Sequence, residues 1–313
     1  MISKPILVIA YNRPRTLGRQ LDRIERLNRR NIVISIDGAK TNLEESHATI
    51  KTAENWAMQS KHDVDLLVQH KNLGIYFHLP SALNAFFAKF DFGTILEDDI
   101  EFIPTFFELM DSKLDQVYFE EFWSICGHNP IEVRNPNYFI DQTLNLYPSI
   151  FHSILGWSTT AQNAELFTSN YQELINLDEM EQTLTKTARR LTRDPLLRNA
   201  FVSTWKRKLS GWNSKRLQSS WDTRWVYEGW KSEKFSLIPS FSLSREDLNQ
   251  SEGQTHPHAS KGEIWDGSLS SDFALSIKGR NNRLDVSLLR TWGIGRRYSW
   301  LYAGRVARQR YGA

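Results

Sequence analysis

The sequence predicts an α/β protein with a mostly parallel central sheet and helices on both faces of that sheet. Short, mainly apolar runs recur in the first 100 residues, and the two at 6–10 and 32–36 are typical of strands buried on both faces. Stretches with apolar residues at helical spacing separate these runs, so that strand and helix alternate four times. The 313 residues include one cysteine, Cys126, and a chain of this length can bury a core without disulfides.

The expected elements follow one another along the first 100 residues. They are a strand at 6–10, a helix carrying Leu17, Leu21, Ile24 and Leu27, a strand at 32–36, a helix at about 42–60, a strand at 65–68, a helix at 79–90 and a strand at 94–96. Polar residues follow each strand, and these breaks mark the strand ends.

The second half of the chain is less regular. Helical patches are expected at 106–114, 162–170 and 178–209, and a loop at 251–262 follows the apolar segment 235–243. Six tryptophans lie between residues 157 and 230, namely Trp157, Trp205, Trp212, Trp221, Trp225 and Trp230.

Polar side chains follow three of the expected strands. These are the segments Tyr11 to Arg13, Asp37 with Gly38, and Glu97 to Asp99. Ligands of open α/β sheets bind at the carboxyl ends of the strands. We therefore expect the three clusters to meet in one crevice.

The three adjacent carboxylates of Glu97, Asp98 and Asp99 indicate a cation site. Like charges at the end of an apolar strand repel one another and are costly to desolvate, and a divalent cation would offset that cost. Oxygen ligands suit Mn²⁺ or Mg²⁺, which completes its coordination shell with phosphate oxygens and water. The alternative is a solvated acidic turn before the helix that starts after Pro104.

Two further positions are candidates for chemistry. Asp222 lies between Trp221 and Trp225, and partly apolar surroundings raise the basicity of a carboxylate, which suits a general base. The alternative role is the N-cap of a helix at 223–230. His256, in the loop that also contains His258, is a candidate metal ligand, and the alternative is a histidine on a surface loop.

Positive charge is concentrated in two segments of the chain. Residues 186–216 contain ten Lys and Arg residues against one acid, Asp194, and residues 278–313 contain nine against Asp285. Basic segments on an otherwise acidic body indicate an anionic surface or an anionic acceptor as partner. The C-terminal segment also contains aromatic residues, which suits a membrane interface. The alternative for both segments is a helix with a solvated basic face, and no motif supports nucleic acid as a partner.

The first residues of the sequence lack the pattern of a signal peptide. The apolar run 6–10 is shorter than the core of a signal peptide, and no window approaches the roughly 20 apolar residues of a membrane helix. We expect a cytoplasmic protein that can also lie on the inner face of a membrane.

Seven motifs, taken in order, resemble nucleotide-sugar-dependent glycosyltransferases of the GT-A (Rossmann-like) fold. They are Pro5 to Ala10 with Arg13, Ile34 to Gly38, Asn72 to Gly74 with Ser81 to Leu83, Leu96 to Phe107, Gly156 with Trp157, Trp221 and Asp222 with Trp225, and Ile238 to Ser240 with Thr255 and His256. The resemblance is to bacterial enzymes of surface-polysaccharide synthesis and to the eukaryotic N-acetylglucosaminyltransferase that initiates complex N-glycans.

The resemblance implies a role for each matched residue. Residues implied in binding the nucleotide sugar are Ala10, Tyr11, Arg13, Asp37, Ser81, Glu97 and Asp98. Asp37 would hydrogen-bond uracil, Asp99 and His256 would serve the Mn²⁺ or Mg²⁺ ion, and Asp222 would be the catalytic base. Gly156 and Trp157 would face the acceptor, which is a glycan or a lipid-linked saccharide. The implied donor is a UDP-sugar, and the implied stereochemical outcome is inversion.

The implied organisation is one GT-A domain with an extension. Residues 1–125 would form the nucleotide-sugar-binding half, residues 126–258 the acceptor-binding and catalytic half, and residues 259–313 a helical, basic and aromatic C-terminal extension.

Two other functions stay open from the sequence. A nucleotidyltransferase that makes sugar nucleotides would share the sheet and the carboxylates. Such enzymes carry a Gly-rich loop after the first strand, whereas this chain has no glycine from Tyr11 to Pro14. A non-catalytic polysaccharide-binding protein would use the tryptophans and would need no cluster at Glu97 to Asp99.

Overall fold

A computed structural model describes residues 3–40, 42–111, 121–129, 144–214 and 220–247, with the backbone of residues 276 and 277. Its strands are β1 (Ile6–Ala10), β2 (Asn31–Ile36), β3 (Asp63–Val68), β4 (Phe92–Glu97), β5 (Ile100–Phe102), β6 (Phe122–Cys126), β7 (Asn145–Ser149), β8 (Trp157–Thr160), β9 (Phe235–Pro239), β10 (Ser244–Glu246) and β11 (Ser276–Ile277). Its helices are α1 (Pro14–Glu25), α2 (Leu43–Gln59), α3 (Gly74–Phe87), α4 (Pro104–Asp111), α5 (Ala161–Asn170), α6 (Leu177–Leu191), α7 (Pro195–Asn213) and α8 (Trp221–Lys231).

The described strands form a nine-stranded mixed sheet in the order β11-β7-β9-β6-β8-β4-β1-β2-β3, and β5 pairs with β10 apart from it. The four strands of the first 100 residues are parallel neighbours, as expected. The expectation of a mostly parallel sheet is wrong for the second half, because β8 is antiparallel to both β4 and β6, and β7 is antiparallel to β9. The sheet is therefore mixed, and the change of direction begins at β8.

Helices cover both faces of the sheet, as the alternation of elements predicted. Side chains alternate between the faces along each strand. In β1, Ile6 and Val8 pack in one core with α1, α2 and α4, whereas Leu7 and Ile9 pack in a second core with α3 and α5 to α8. Both cores are apolar, which accounts for the continuous apolar runs in the sequence.

The helical stretch expected at 178–209 is two helices. The chain leaves α6 at Thr192, whose backbone is extended, and α7 begins at Pro195. Asp194 caps α7, with Oδ1 accepting a hydrogen bond of 2.8 Å from the Leu196 amide. A carboxylate cap followed by proline is a favoured helix start, and it divides one periodic stretch into a helical hairpin.

Within the described ranges, no helix has the length and apolarity that a membrane span requires. The extension expected at 259–313 lies outside the described residues, apart from the two residues of β11, which form a strand and pair parallel to β7. The halves expected at 1–125 and 126–258 both contribute strands to the same sheet.

A buried polar group of side chains lies where β6, β9 and the chain after β7 meet. The Ser124 and Ser236 hydroxyls hydrogen-bond each other, and Ser236 Oγ also bonds His152 Nδ1. The imidazole of His152 is almost entirely buried, and loss of solvation lowers its pKa to about 3. His152 is therefore neutral in the folded protein at every pH at which enzymes normally work.

The neutral state of His152 predicts that acid destabilises the fold. In the unfolded chain the pKa of this histidine is near 6.5. Between this pH and about pH 3 the unfolded state therefore binds a proton that the folded state does not bind. The contribution of the neutral imidazole to the free energy of unfolding is fully present above pH 6.5 and is lost as the pH falls toward 3. We expect the free energy of unfolding to fall by about 2 kcal/mol more between pH 7.5 and pH 5 in the wild type than in His152→Gln.

Urea unfolding at the two pH values measures this difference. The matched control is His47→Gln, which removes an exposed histidine from α2. Equal pH dependence of wild type and His152→Gln would show that the buried imidazole does not contribute in this way.

Candidate functional site

The carboxyl ends of β1, β2 and β4 meet at one edge of the sheet. Ala10 is paired with Ile36, and Ile9 with Glu97, so the three strands end in register. A pocket of about 280 Å³ opens at this edge. Six of the residues singled out in the sequence line it, namely Ala10, Tyr11, Arg13, Asp37, Glu97 and Asp98. The expected convergence of the strand-end clusters is confirmed.

The Asp37 carboxylate organises one wall of this pocket. Its Oδ1 accepts hydrogen bonds from the amides of Gly38 at 2.9 Å and Leu73 at 2.8 Å. Its Oδ2 accepts from the Gly74 amide at 2.8 Å and from Asn72 Nδ2 at 3.2 Å. A buried carboxylate with four donors holds the chain at the start of α3 in place. This long-range cap explains why α3 begins at Gly74, five residues earlier than the sequence indicated.

Glycine is required next to Asp37 because the backbone of residues 71 and 72 passes close to this position. A Cβ atom on Gly38 would lie 2.3 Å from the carbonyl carbon of Lys71 and 2.7 Å from the Asn72 nitrogen. Both are backbone atoms that cannot swing aside, so the pairing of Asp37 with residues 72–74 depends on this glycine.

Arg13 forms ion pairs with two of the three clustered carboxylates. Its Nη1 donates to Asp99 Oδ2 at 2.6 Å, and its Nη2 donates to Asp98 Oδ1. Burial lowers the pKa of Arg13, but the charges of Asp98 and Asp99 outweigh this and raise it above its usual value. Arg13 was expected to contact the nucleotide, and the structure shows it bridging these two acids.

The pKa values of Glu97 and Asp98, two of the three clustered acids, are raised. Loss of solvation, followed by the charge of Asp99, raises the pKa of Glu97 to about 8, although Arg13 opposes this. Loss of solvation also raises the pKa of Asp98 to about 6, against the opposing charge of Arg13. These surroundings therefore favour the protonated form of Glu97, which can donate a hydrogen bond from this position.

The donor set of this cluster fits a divalent cation that is shared with a phosphate ligand. Asp98 Oδ2 is buried and has no hydrogen-bond partner in the described part of the chain. The Asp99 side chain is 14% exposed, and Arg13 occupies only its Oδ2. No group of three His, Cys, Asp or Glu side chains able to hold a metal ion occurs among the described residues. A cation here would thus take one or two carboxylates from the protein and the rest of its shell from the ligand and water.

Asp222 approaches the same cluster from the second half of the chain. Its charge is one of the causes of the raised pKa of Glu97, and it also acts on Tyr171 and Lys208. The alternative role as a helix cap is wrong, because α8 begins at Trp221 and Ser220 occupies the cap position. Asp222 lies in the first turn, where the helix dipole favours a carboxylate.

Buried aromatic rings and a buried ion pair fix the position of α8. Trp157 is 1% exposed, and its ring centroid lies 4.4 Å from that of Trp225 and 6.0 Å from that of Trp221. Arg224 pairs with Glu228 at 2.8 Å and donates 2.6 Å and 3.1 Å hydrogen bonds to the Asn170 and Glu173 carbonyls. These contacts tie the helix of Asp222 to the end of α5.

The expected acceptor residues support the site from within the protein. Gly156 has φ +75°, which favours glycine, and its carbonyl accepts a 2.8 Å hydrogen bond from the Gly127 amide. Trp157 is buried against α8, so it positions the helix of Asp222 in this structure. Direct contact of Gly156 or Trp157 with an acceptor stays a prediction.

Two further expected site residues, Ser81 and His256, are not placed at the site by the described structure. Ser81 is exposed on α3, one turn beyond the lining residue His78, and does not itself line the pocket. His256 and its loop lie outside the described residues.

Three polar pocket residues were not identified as site residues from the sequence. Lys40, Asn72 and His78 line the pocket, and His78 Nε2 lies 2.8 Å from Ser35 Oγ. Burial lowers the pKa of His78, against the opposing charge of Asp37. Asn72 lies within a motif that was noted. No local pattern singles out a histidine inside an apolar helix or a lysine in a polar turn.

No protein-family model and no curated protein match this sequence. Among solved structures, HddC from Yersinia pseudotuberculosis is similar over 54% of this chain and 80% of its own, with 10% sequence identity and a TM-score of 0.34. A likeness this distant carries no argument about fold or function.

The four hydrogen bonds of the Asp37 carboxylate predict a structural effect of replacing it. In Asp37→Asn, the new amide group faces N–H donors and leaves at least one of them unsatisfied, so the free energy of unfolding should fall by about 1–3 kcal/mol. Denaturant unfolding measures the loss. The control is Asp65→Asn, an exposed carboxylate paired with Lys89, which should change stability by less than about 1 kcal/mol. Equal effects of the two substitutions would contradict the structural role of Asp37.

Proposed function

We propose that the protein is a metal-dependent glycosyltransferase of the GT-A type. It would move a sugar from a nucleotide diphosphate sugar, with UDP as the expected nucleotide, to a hydroxyl of a glycan or lipid-linked acceptor in surface-polysaccharide synthesis. The observation that carries the proposal is the meeting of Arg13, Asp37, Glu97 and Asp98 in one pocket. Asp99 pairs with Arg13 beside it, and Asp222 is within electrostatic reach of Glu97.

The pocket at the sheet edge suits the nucleoside part of the donor. Its volume of about 280 Å³ is at the lower end for small-molecule sites, so the diphosphate would extend toward Asp99 and the sugar toward Asp222. The unpartnered Asp98 Oδ2 would accept a hydrogen bond from a ribose or sugar hydroxyl. A uracil contact by Asp37 would replace or share one of its four hydrogen bonds.

Asp99 is the expected ligand of a bound Mn²⁺ or Mg²⁺, and His256 is expected to approach it from the C-terminal loop. Such an ion supplies charge stabilisation to a leaving diphosphate. The chain's own contribution at this point is to fix the carboxylates, which Arg13 does through its two ion pairs. Glu97 would position a donor oxygen or a water of the ion, and a bound cation would lower its raised pKa.

Asp222 would act as the general base. It would take the proton of the acceptor hydroxyl as that oxygen attacks the anomeric carbon, while the bond from this carbon to the phosphate oxygen breaks and the nucleoside diphosphate leaves. A single direct displacement inverts the anomeric configuration. Burial of Trp221 and Trp225 and the ion pair of Arg224 would hold Asp222 on the side of the site opposite the leaving group.

Donor binding tests the first half of the proposal. We expect UDP to bind more tightly with Mn²⁺ than without it, and Asp99→Ala to weaken the Mn²⁺-dependent binding at least about tenfold, equivalent to about 1.4 kcal/mol. Calorimetry with UDP, GDP, CMP and dTDP measures both effects and the choice of nucleotide. Asp65→Ala, which removes an exposed carboxylate on β3, is the control and should leave binding unchanged. Absence of nucleotide binding under every metal condition would contradict the proposal, and turnover of a nucleoside triphosphate with a sugar phosphate would favour the nucleotidyltransferase.

Removal of the proposed base tests the second half. Asp222→Asn should lower kcat by about 10²–10⁴-fold, because general-base catalysis is worth this much, and should leave the Kd for UDP unchanged. The control is Asp178→Asn, which also replaces an aspartate in the first turn of a helix. Near-wild-type turnover of Asp222→Asn in an assay of sugar transfer would exclude this residue as the base.

A further inference from the structure

A groove of about 900 Å³ runs along the helical hairpin of α6 and α7. Its apolar lining comes from Ala188, Pro195 and Val202, and its charged lining from Glu181, Arg189, Arg198, Lys206 and Arg207. The α7 residues recur at intervals of three or four, so one face of this helix forms a wall of the groove. The groove therefore combines an apolar surface with a basic rim.

Most of the positive charge in this groove is uncompensated. Lys206 pairs with Glu181 at 2.7 Å, which neutralises the one acid of the lining. Arg189 and Arg207 are exposed and have no hydrogen-bond or ion-pair partner among the residues that the structure describes. Arg198 donates from Nη2 to the Arg193 carbonyl at 2.8 Å, and no described carboxylate pairs with it. The guanidinium groups of Arg189 and Arg207 thus remain fully available to an anion, and that of Arg198 remains available in part.

We propose that this groove docks the protein on an anionic membrane by binding the phosphate headgroups of acidic phospholipids. Guanidinium groups match phosphate oxygens in geometry and charge, and basic residues near an anionic surface are attracted to it. Leu196, next to the lining residue Pro195, is 37% exposed. An apolar side chain beside a basic rim favours a lipid interface over the backbone of a nucleic acid.

The same helix leads toward the candidate site. Lys208 of α7 has its ammonium 4.7 Å from the ring centroid of Trp205, and the charge of Asp222 acts on it. Docking through α7 would hold Asp222 at a fixed distance from a lipid-linked acceptor. This consequence rests on the proposed function, whereas the docking itself does not.

Co-sedimentation of the full chain with lipid vesicles tests the docking. The probes are vesicles of phosphatidylcholine alone and vesicles in which about 30 mol% of the lipid is phosphatidylglycerol, whose headgroups give the surface a negative potential. The test variant is Arg189→Glu with Arg207→Glu. The control is Lys51→Glu with Lys61→Glu, which makes the same change in net charge at exposed positions outside the groove.

The groove variant should bind the anionic vesicles about 30-fold more weakly than the wild type, or weaker still, and the control should bind within about threefold of the wild type. The second basic segment, at 278–313, is present in all variants, so the difference between them isolates the groove. Circular dichroism confirms that both variants are folded. An equal loss in both variants, or no loss in the groove variant, would overturn the proposal.

A fluorescent reporter in the groove gives a second readout that requires no charge reversal. Ser203 is an exposed lining residue, and Ser203→Cys can be labelled with a polarity-sensitive dye. Labelling is selective because the native Cys126 is buried, and burial raises the pKa of its thiol to about 11. The emission should shift to the blue with anionic vesicles only, and a dye on Lys51→Cys should not respond.

The reporter also separates lipid from other anions. No shift at position 203 with anionic vesicles would overturn the proposal. A shift produced at lower concentration by a single-stranded oligonucleotide or by inorganic pyrophosphate than by the vesicles would also overturn it, and would assign the groove to that soluble anion.

Discussion

Three adjacent carboxylates at the end of β4 require compensating positive charge, and Arg13 supplies it from the end of the neighbouring strand. This interaction connects β1, β4 and the turn at Asp99 through two ion pairs. The turn is fixed on its other side as well, because the Asp247 amide donates a 2.7 Å hydrogen bond to the Asp99 carbonyl. The Asp247 carboxylate in turn pairs with Arg19 and Arg23 of α1. Arg13 thus holds the side chains of the acidic cluster, and Asp247, which is itself paired with two arginines, holds its backbone.

The parallel half of the sheet was predictable because its signal is local. A strand buried on both faces is a continuous apolar run, and β1 was located to the residue. The antiparallel half was not predictable from the same pattern. Four residues, Trp157 to Thr160, form β8, and three of them are polar. Their burial depends on partners far along the chain, such as the 2.8 Å hydrogen bond between the Thr94 and Ser158 hydroxyls. A hydrophobicity pattern over eight or ten residues contains no information about a contact between residues 64 positions apart.

The same distinction applies to the candidate site. The meeting of the β1, β2 and β4 ends was predictable because ligands of open α/β sheets bind at the carboxyl ends of the strands. In the structure these ends lie at one pocket. The approach of Asp222 to Glu97, 125 positions earlier in the chain, is set by the packing of α8 on Trp157 and by the Arg224 ion pair, which no local pattern encodes. Asp37 shows the reverse case. Its position was expected, but its bonds to Leu73 and Gly74 make it the cap of a helix 36 residues away, a role visible only in three dimensions.

The charge balance at this edge limits what can bind there. Glu97, Asp98, Asp99 and Asp222 bring up to four negative charges, and the surroundings of Glu97 raise its pKa and so favour its neutral form. A diphosphate adds further negative charge, whereas Arg13 is committed to Asp98 and Asp99. A diphosphate donor could therefore bind only together with a cation or after Arg13 turns toward the phosphates. These two routes differ in metal dependence, so the effect of Mn²⁺ on UDP affinity in an Arg13→Lys variant separates them. If Arg13 is the phosphate ligand, the substitution weakens binding without metal most, and if a cation carries the phosphates, the Mn²⁺-dependent increment survives the substitution.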